Sequence, residues 1–568
     1  MTATQQFETV WPGGQPAVEV FSPASRPAEL NGLRIAFVWD YLFRGDEIFA
    51  ILEETLGQAY PDATFLSYGL FGNTLGADDH RVLSELPAKL AEHKVDVVIS
   101  GVGCCGACTP AVIRASAIAE KAGVPTASLV CEGFAGQARA VSPGLGCAWL
   151  PVVEMPGYVE SQSDAELREM ILSHTRDAVV RCLTEAPVDT NTQGASSCAA
   201  RRIVAIGDFA GINRRYLDEG WSDGLPIVPP TIAAVEAFLR HTPDSPDRLI
   251  GGLQPSGASV TAWNVAVNGV MAGCEPTYMP VLIAIAEIMV NPAYGIEHSG
   301  DTTGGDPLIV LNGPVITQLG FNTGNGAMRD GARANSTVGR FLRLFMRNVA
   351  GLRPGGADKS TFGRSARIVL AEQEGELETL GWTTYGDRLG YPKGTNLVTI
   401  ARYTGDVTVG SIYGRDPEDI ARYLADGLVR QSGWELVFTA GLAPGTCRPL
   451  VAISPMVAKT LAKAGSDPQD LRERLFRLAR IPASRFESYI GKFSNMVPGR
   501  RTLLQLHEAG LAADIFALSD DPHRLVPVVT RPEDILIAVS GDPFRSNGMV
   551  FGSNGVHGFL TSQEIRMA

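Results

Sequence analysis

A strand, a cysteine-rich loop and a helix follow one another without a break between residues 95 and 130, and this unit constrains the fold most strongly. Residues 95–101 form a continuous apolar run, which is typical of a parallel strand covered on both faces. Residues 109–122 carry apolar side chains at helical spacing. Cys104, Cys105 and Cys108 lie between the two. The pattern therefore predicts three sulfurs at the carboxyl end of a buried strand, the edge at which open parallel sheets bind ligands.

The residues after this loop favour a reactive thiol. Thr109 followed by Pro110 predicts an N-cap with proline in the first turn of a helix. A helix N-terminus stabilises negative charge, and thiolate is the reactive form of cysteine. A lone cysteine is often only a small buried hydrophobe. Three within five residues of a glycine-rich loop favour a redox, nucleophilic or metal-binding role.

The first third of the chain alternates strands with helices. We expect further strands at residues 33–40, 64–67, 125–131 and 146–153, and helices at residues 46–56, 82–93 and 164–183. Such alternation predicts a doubly wound parallel α/β domain, flavodoxin-like or Rossmann-like, over residues 1–185. The turn after the first of these strands carries Tyr41, Leu42, Phe43 and Arg44 in place of G-x-G-x-x-G, which disfavours a dinucleotide.

The remaining chain predicts a second and larger unit. Residues 186–202 have linker composition and include Cys198, which we interpret as incidental. Residues 203–568 predict a larger mixed α/β domain that binds the substrate. The phrases PLIVLNGP and ILIAVSGDP are similar and suggest two related halves.

Composition bears on partners and compartment. The 568 residues carry a net charge of -13, which disfavours nucleic acid or an anionic membrane as a partner. The first 21 residues do not resemble a signal peptide and no apolar run reaches spanning length, so we expect a cytoplasmic protein. Nine cysteines without a repeating spacing do not form a secreted disulfide framework. The many apolar helices are compatible with a homodimer.

Polar residues in the second domain predict a surface that grips a small polar substrate. Asparagine offers a donor and an acceptor, and arginine a planar fork for carboxylate. The candidates are His298, Asn312, Asn322, Asn335 and Arg340. The alternative is that the asparagines cap helices and hold turns. We predict no separate metal site, although Cys104, Cys105 and Cys108 could hold a metal with a fourth ligand from elsewhere.

The motif GVGCCGACTPAVIRASAIAEKAGVPT resembles the signature of the UGSC family, in which selenocysteine or cysteine precedes Gly-Ser-Cys at the end of a strand. It is more distantly similar to the selenocysteine loops of the glycine and proline reductase B subunits. The resemblance implies that Cys105 occupies the selenocysteine position and Cys108 that of the resolving cysteine, with Ala107 in place of serine. The second domain, with WSDGLPIVPPT and ANSTVGRFLRLFMRN, is similar to the large region that accompanies that signature.

The sequence thus predicts a thiol-dependent oxidoreductase of specialised metabolism. Cys105 would act as thiolate on a small metabolite, Cys108 would resolve the intermediate as a disulfide, and Cys104 would assist. The reaction would reduce or reductively cleave a carbon–heteroatom bond, and an external thiol reductant would restore the dithiol. No cofactor is predicted. The alternatives are a redox-neutral lyase or transferase that uses the same thiolate, and a carrier whose cysteines bind metal or sulfur.

Overall fold

The architecture comes from a computed structural model that describes residues 5–187, 201–363, 369–493, 496–553, 555 and 559–567. Most of the predicted linker, including Cys198, lies outside these residues. Below, residues 30–187 are called the N-terminal unit and residues 201–567 the large unit.

An arm precedes the N-terminal unit and carries strand β1 (Phe7–Val10). The strands of the unit itself are β2 (Arg34–Trp39), β3 (Thr64–Leu66), β4 (Val97–Gly103), β5 (Thr126–Cys131) and β6 (Val152–Met155). Its helices are α1 (Gly45–Ala59), α2 (Asp79–Glu92), α3 (Cys108–Lys121), α4 (Ala135–Val141), α5 (Asp164–Met170) and α6 (Arg176–Thr184).

The five strands of the N-terminal unit form a parallel sheet in the order β3-β2-β4-β5-β6. This is the flavodoxin-like order, in which the chain changes direction between β2 and β4. Alternate side chains of β2 enter two different cores: Phe37 and Trp39 pack on the face with α1, while Ala36 and Val38 pack on the face with α2. Helices therefore cover both faces, and the doubly wound α/β fold is confirmed.

Two elements differ from the sequence expectation. The strand expected over residues 146–153 begins at Val152. Gly146 instead ends a short 3-10 turn with φ of 82°. A Cβ there would lie 2.2 Å from the carbonyl oxygen of Glu19 in the arm, so the arm packs directly against Gly146. The long closing helix contains a π-helical turn, Ile171–Thr175, between α5 and α6.

The large unit has these strands: β7 (Ile203–Gly207), β8 (Leu249–Leu253), β9 (Ala258–Thr261), β10 (Asp306–Asn312), β11 (Val369–Ala371), β12 (Leu397–Val409), β13 (Leu450–Ile453), β14 (Arg480–Pro482), β15 (Leu525–Pro527), β16 (Leu536–Val539), β17 (Gly548–Ser553) and β18 (Thr561–Glu564). Its helices are α7 (Phe209–Asp218), α8 (Ile232–Leu239), α9 (Ala262–Ala272), α10 (Met279–Met289), α11 (Val315–Gln318), α12 (Arg333–Asn348), α13 (Glu374–Leu380), α14 (Tyr385–Arg388), α15 (Pro417–Arg430), α16 (Pro455–Lys463), α17 (Pro468–Leu478), α18 (Ala483–Glu487) and α19 (Leu503–Glu508).

A mixed sheet in the order β11-β10-β12-β17-β13-β16, with β18 also paired to β12, is the centre of the large unit. The phrases PLIVLNGP and ILIAVSGDP contain β10 and β16, which lie toward opposite ends of this sheet. Each of these strands pairs in parallel with one neighbour, β10 with β11 and β16 with β13. Whether the two halves are related stays a prediction.

The arm joins the two units, because β1 pairs antiparallel with β7.

Among the described residues, no single helix has the length and apolar character to cross a membrane, and one pair bent by 72°, Pro276–Met289 with Pro292–His298, meets those two criteria only when taken together.

Candidate functional site

The loops after β2 and β4 meet at the switch point of the parallel sheet. Asp40 follows β2 directly, and its backbone N–H donates to the Gly101 carbonyl oxygen at 3.1 Å. Cys104 follows β4. Ligands of open α/β sheets bind in the crevice at such a point, so this edge is the candidate site.

Four cysteines gather at this edge and form two pairs. A disulfide bond joins Cys105 to Cys108, with Cα atoms 5.1 Å apart. A second one joins Cys104 to Cys131 of the next strand, with Cα atoms 4.8 Å apart. Cys104, Cys108 and Cys131 are buried, whereas Cys105 is partly exposed. Cys105 is therefore the least buried of these four residues.

Helix α3 does not begin with the predicted N-cap residue. The prediction that Thr109 is the N-cap is wrong: α3 begins at Cys108, and the Cys108 N–H donates to the Cys105 sulfur at 3.0 Å. The Thr109 hydroxyl instead lies within hydrogen-bond distance of the Gly103 and Cys105 carbonyl oxygens, at 3.2 and 3.0 Å. The Cys105 sulfur thus lies at the N-terminal end of α3, where the helix dipole favours negative charge.

Asp40 is a buried acid at the same edge. Its side chain is 0% exposed, and burial raises its pKa to about 8 against the lowering effect of its backbone hydrogen bonds. Oδ1 accepts from the N–H groups of Val102 at 3.0 Å and Leu42 at 3.3 Å. Oδ2 has no hydrogen-bond partner among the described residues. Asp40 thus holds a proton near neutral pH, next to the peptide that begins the cysteine loop.

The loop after Asp40 has an unusual backbone. Tyr41, Phe43 and Arg44 have φ of 63°, 58° and 56°, a region that costs non-glycine residues energy. The Arg44 guanidinium is 2% exposed and holds the loop in place by donating to the carbonyl oxygen of Gln162 at 2.6 Å and to the carboxylate of Asp164 at 2.6 Å. Non-glycine residues in this region cluster at functional sites.

Segments of the large unit cover the cysteine loop. A Cβ on Gly106 would lie 1.9 Å from the Gly300 carbonyl oxygen, so only glycine permits this approach. The Gln137 side-chain amide donates to the carbonyl oxygens of Gly106 at 2.7 Å and Ala357 at 2.8 Å. The loop is consequently held between the N-terminal unit and residues 300 and 357 of the large unit.

A buried charged network connects the two units behind the loop. Arg114 of α3 donates to Glu297 at 2.6 Å and to Asp79 at 3.1 Å, and its guanidinium lies 3.0 Å from Nε2 of His298. Burial alone would raise the pKa of Asp79 and of Glu297, but the neighbouring Arg114 and His298 hold both below their usual range. Nδ1 of His298 lies 3.3 Å from the Ala107 carbonyl oxygen, so it donates to the cysteine loop itself. His298 is the predicted substrate residue that contacts this loop.

The other predicted substrate residues have partners inside the large unit. Asn312 donates to Glu372 at 2.7 Å and to Glu374 at 2.9 Å. Asn322 and Asn335 bond to each other, with the Asn335 amide donating to the Asn322 carbonyl oxygen at 3.0 Å.

Arg340 donates to Asp223 at 2.9 Å and 3.1 Å. Within the described part of the chain, neither it nor the three asparagines form a hydrogen bond with the cysteine loop. Substrate binding by these four residues stays a prediction.

A large cavity lies away from the cysteines. It has a volume of about 990 Å³, lies beside the ends of β10 and β11, and includes Glu372, Trp382 and Lys393 in its lining. None of the described cysteines lines it. Burial raises the pKa of Glu372, which accepts from the backbone N–H of Tyr385 at 2.5 Å.

Sequence reasoning missed two members of the site. Cys131 ends a strand 27 residues after Cys104, and only the pairing of β4 with β5 brings them together. Asp40 offered a signal, since a lone carboxylate at the end of an apolar run is a candidate switch-point residue.

Across the described ranges, no group of three or more His, Cys, Asp or Glu side chains is arranged to hold a metal ion.

The fold and this loop define a class, the α/β proteins that carry a Cys-x-x-Cys pair at the switch point of a parallel sheet. Residues 8–185 match the model of the UGSC family. The similarity of residues 203–568 to the region that accompanies the signature lies beyond this match and stays a prediction. Comparisons with curated proteins and with solved structures found no match.

Proposed function

We propose that the protein is a thiol-dependent oxidoreductase in which Cys105 attacks a small polar metabolite and Cys108 resolves the intermediate. The observation that carries this proposal is the contact between the two residues: the Cys108 N–H donates to the Cys105 sulfur at 3.0 Å at the start of α3. That N–H and the helix dipole lower the cost of a thiolate at Cys105. Partial exposure makes Cys105 the sulfur of the pair that a substrate can reach.

The proposed reaction balances as a two-electron reduction. The Cys105 thiolate attacks a substrate carbon, a carbon–sulfur bond forms, and the heteroatom group leaves with a proton. The Cys108 thiolate then attacks the Cys105 sulfur, which breaks the carbon–sulfur bond, and the carbon takes up a proton. The two thiols have lost two electrons and two protons, and an external thiol reductant restores them by disulfide exchange. Asp40, with a pKa of about 8, supports proton exchange at this edge.

The setting we propose is the cytoplasm, where glutathione and thioredoxin keep thiols reduced. The partners are then a small-molecule substrate of specialised metabolism and a thiol reductant system, without nucleic acid or membrane, and a homodimer is compatible with the fold. His298 enters as a positioning residue, because it donates to the Ala107 carbonyl oxygen.

The first experiment measures thiol reactivity. After reduction, iodoacetamide at pH 7 is expected to label Cys105 at least tenfold faster than Cys147, Cys182, Cys274 and Cys447. Burial raises the pKa of Cys182 to about 11 and of Cys147, Cys274 and Cys447 to about 12, which leaves little thiolate there. Peptide mass spectrometry assigns the labels, and Cys274→Ser is the matched control with an unchanged Cys105 rate. Equal and slow labelling of all thiols would remove the basis of the proposal.

The second experiment separates the alternatives. Mild oxidation is expected to remove two thiols from the Cys105–Cys108 pair, reversibly with dithiothreitol, and Cys108→Ser is expected to abolish this disulfide. The same variant, incubated with a metabolite extract, is expected to retain a covalent adduct on Cys105. Turnover of the trapped compound without any reductant would favour a lyase or transferase. Stoichiometric metal in the purified protein, lost in Cys105→Ser, would favour a carrier.

A further inference from the structure

The second cysteine pair adjoins the first in the chain and shares its core. Cys104 precedes Cys105 in the chain and is paired with Cys131, and both of its members are buried, at 3% and 0% exposure. Cys104, Cys108 and Cys131 belong to one apolar core, and Cys105 packs against its edge. We call Cys105–Cys108 the outer pair and Cys104–Cys131 the inner pair.

Access to the inner pair is restricted. Cys131 ends a strand whose residues are all buried, and Cys104 lies in the loop that the large unit covers at Gly106. Thiol–disulfide exchange needs direct approach of a thiolate to a sulfur. Cys105 is therefore the cysteine of the two pairs that a reductant can approach, and Cys104 of the inner pair is its neighbour in the chain.

We propose that the inner pair is a second redox-active dithiol, which exchanges electrons with the outer pair and lets the protein store four electrons. This inference rests on the proposed function. When the outer pair is oxidised and the inner pair reduced, the Cys104 thiolate attacks the Cys105 sulfur, and Cys108 leaves as a thiol after taking a proton. The Cys131 thiolate then attacks Cys104, and Cys105 leaves in the same way. Two electrons and two protons move from the inner dithiol to the outer disulfide, and no other reactant is consumed.

A structural staple is the competing account of the inner pair. A disulfide that closes a loop of 27 residues stabilises a fold by reducing the chain entropy of the unfolded state. The register already holds the ends of β4 and β5 together at Gly103 and Val130, so a covalent link adds little to their alignment. A staple also gains nothing from adjacency to Cys105, whereas a relay requires it.

The test counts thiols after reduction of the native, fully oxidised protein by a thioredoxin-class protein reductant. Rapid alkylation and peptide mass spectrometry assign each cysteine. A relay predicts a gain of four thiols, two in each pair, with the inner pair reduced after the outer. A gain of two thiols in the outer pair alone, with the inner pair reduced only after unfolding, would overturn the relay and leave the proposed function intact. An outer pair that is not reduced would count against both.

The route is tested with Cys105→Ser. We expect reduction of the inner pair by the same protein reductant to slow at least tenfold in this variant, and to proceed at the unmodified rate in the Cys274→Ser control. Reduction of the inner pair at an unchanged rate in Cys105→Ser would contradict the relay.

A measurement on the unmodified protein does not depend on the folding of any variant. One equivalent of oxidised glutathione is added to fully reduced protein, and the disulfides are mapped over time. The relay predicts that the outer disulfide forms first and that the inner disulfide then grows at its expense. An inner pair that stays reduced throughout, or that oxidises before the outer pair, refutes the transfer.

Discussion

Replacing Asp40 by asparagine tests whether the switch point holds a buried neutral acid. Burial raises the Asp40 pKa from 3.8 to about 8, so at pH 5 to 7 the native carboxyl is protonated while the unfolded carboxyl is ionised. Between these two pKa values the native state binds more protons than the unfolded state, and raising the pH therefore destabilises the native state. Below the lower pKa both states are protonated, and above the upper one both are ionised.

The size of the effect follows from the proton difference. One proton per molecule contributes about 1.4 kcal/mol per pH unit, so Asp40 is expected to lower the free energy of unfolding by roughly 3 kcal/mol between pH 5 and pH 7. Asparagine does not titrate. The difference in free energy of unfolding, variant minus wild type, should consequently increase by the same amount over this range, whatever its value at pH 5.

Urea unfolding at pH 5, 6 and 7 measures this difference, and hydrogen exchange of peptides from β2 and β4 identifies the transition of the N-terminal unit. The control is Glu53→Gln on the exposed side of α1, which is expected to change stability by less than about 0.5 kcal/mol at each pH. Parallel curves for wild type and Asp40→Asn would mean that Asp40 is ionised in the native state, and the reasoning would be refuted.

Two further substitutions probe the contact between the units. Gly106→Ala places a Cβ 1.9 Å from the Gly300 carbonyl oxygen and should lower the free energy of unfolding by about 1–3 kcal/mol, as measured by thermal unfolding. The control Gly136→Ala, whose Cβ would have no atom within 4 Å, should not destabilise the protein. Equal melting temperatures of the two variants would contradict the close approach at Gly106. Arg114→Met leaves the buried Glu297 without its counter-charge and should cost about 3–5 kcal/mol at pH 7, less at pH 5 where the acid can be protonated. A loss of stability in Arg114→Met that does not change with pH would contradict an ionised Glu297 carboxylate.

The local pattern of the sequence was sufficient for most of the N-terminal unit. Apolar runs predicted β2, β4 and β5, and helical spacing predicted α1 and α3, because each of these signals depends on side chains only a few residues apart. The exception at residues 146–153 has a non-local cause, since the backbone near Gly146 packs against the arm.

The candidate site divides in the same way. The sequence itself determined that Cys105 and Cys108 lie between the end of a buried strand and the start of a helix, since only three peptide bonds separate the two residues. The tertiary structure alone decided that Cys131 joins Cys104, that Asp40 is buried with no partner for Oδ2 among the described residues, and that His298 contacts the loop. These contacts depend on strand pairing and on docking of the large unit. Both are set by the sum of many distant packing interactions, which no short stretch of sequence records.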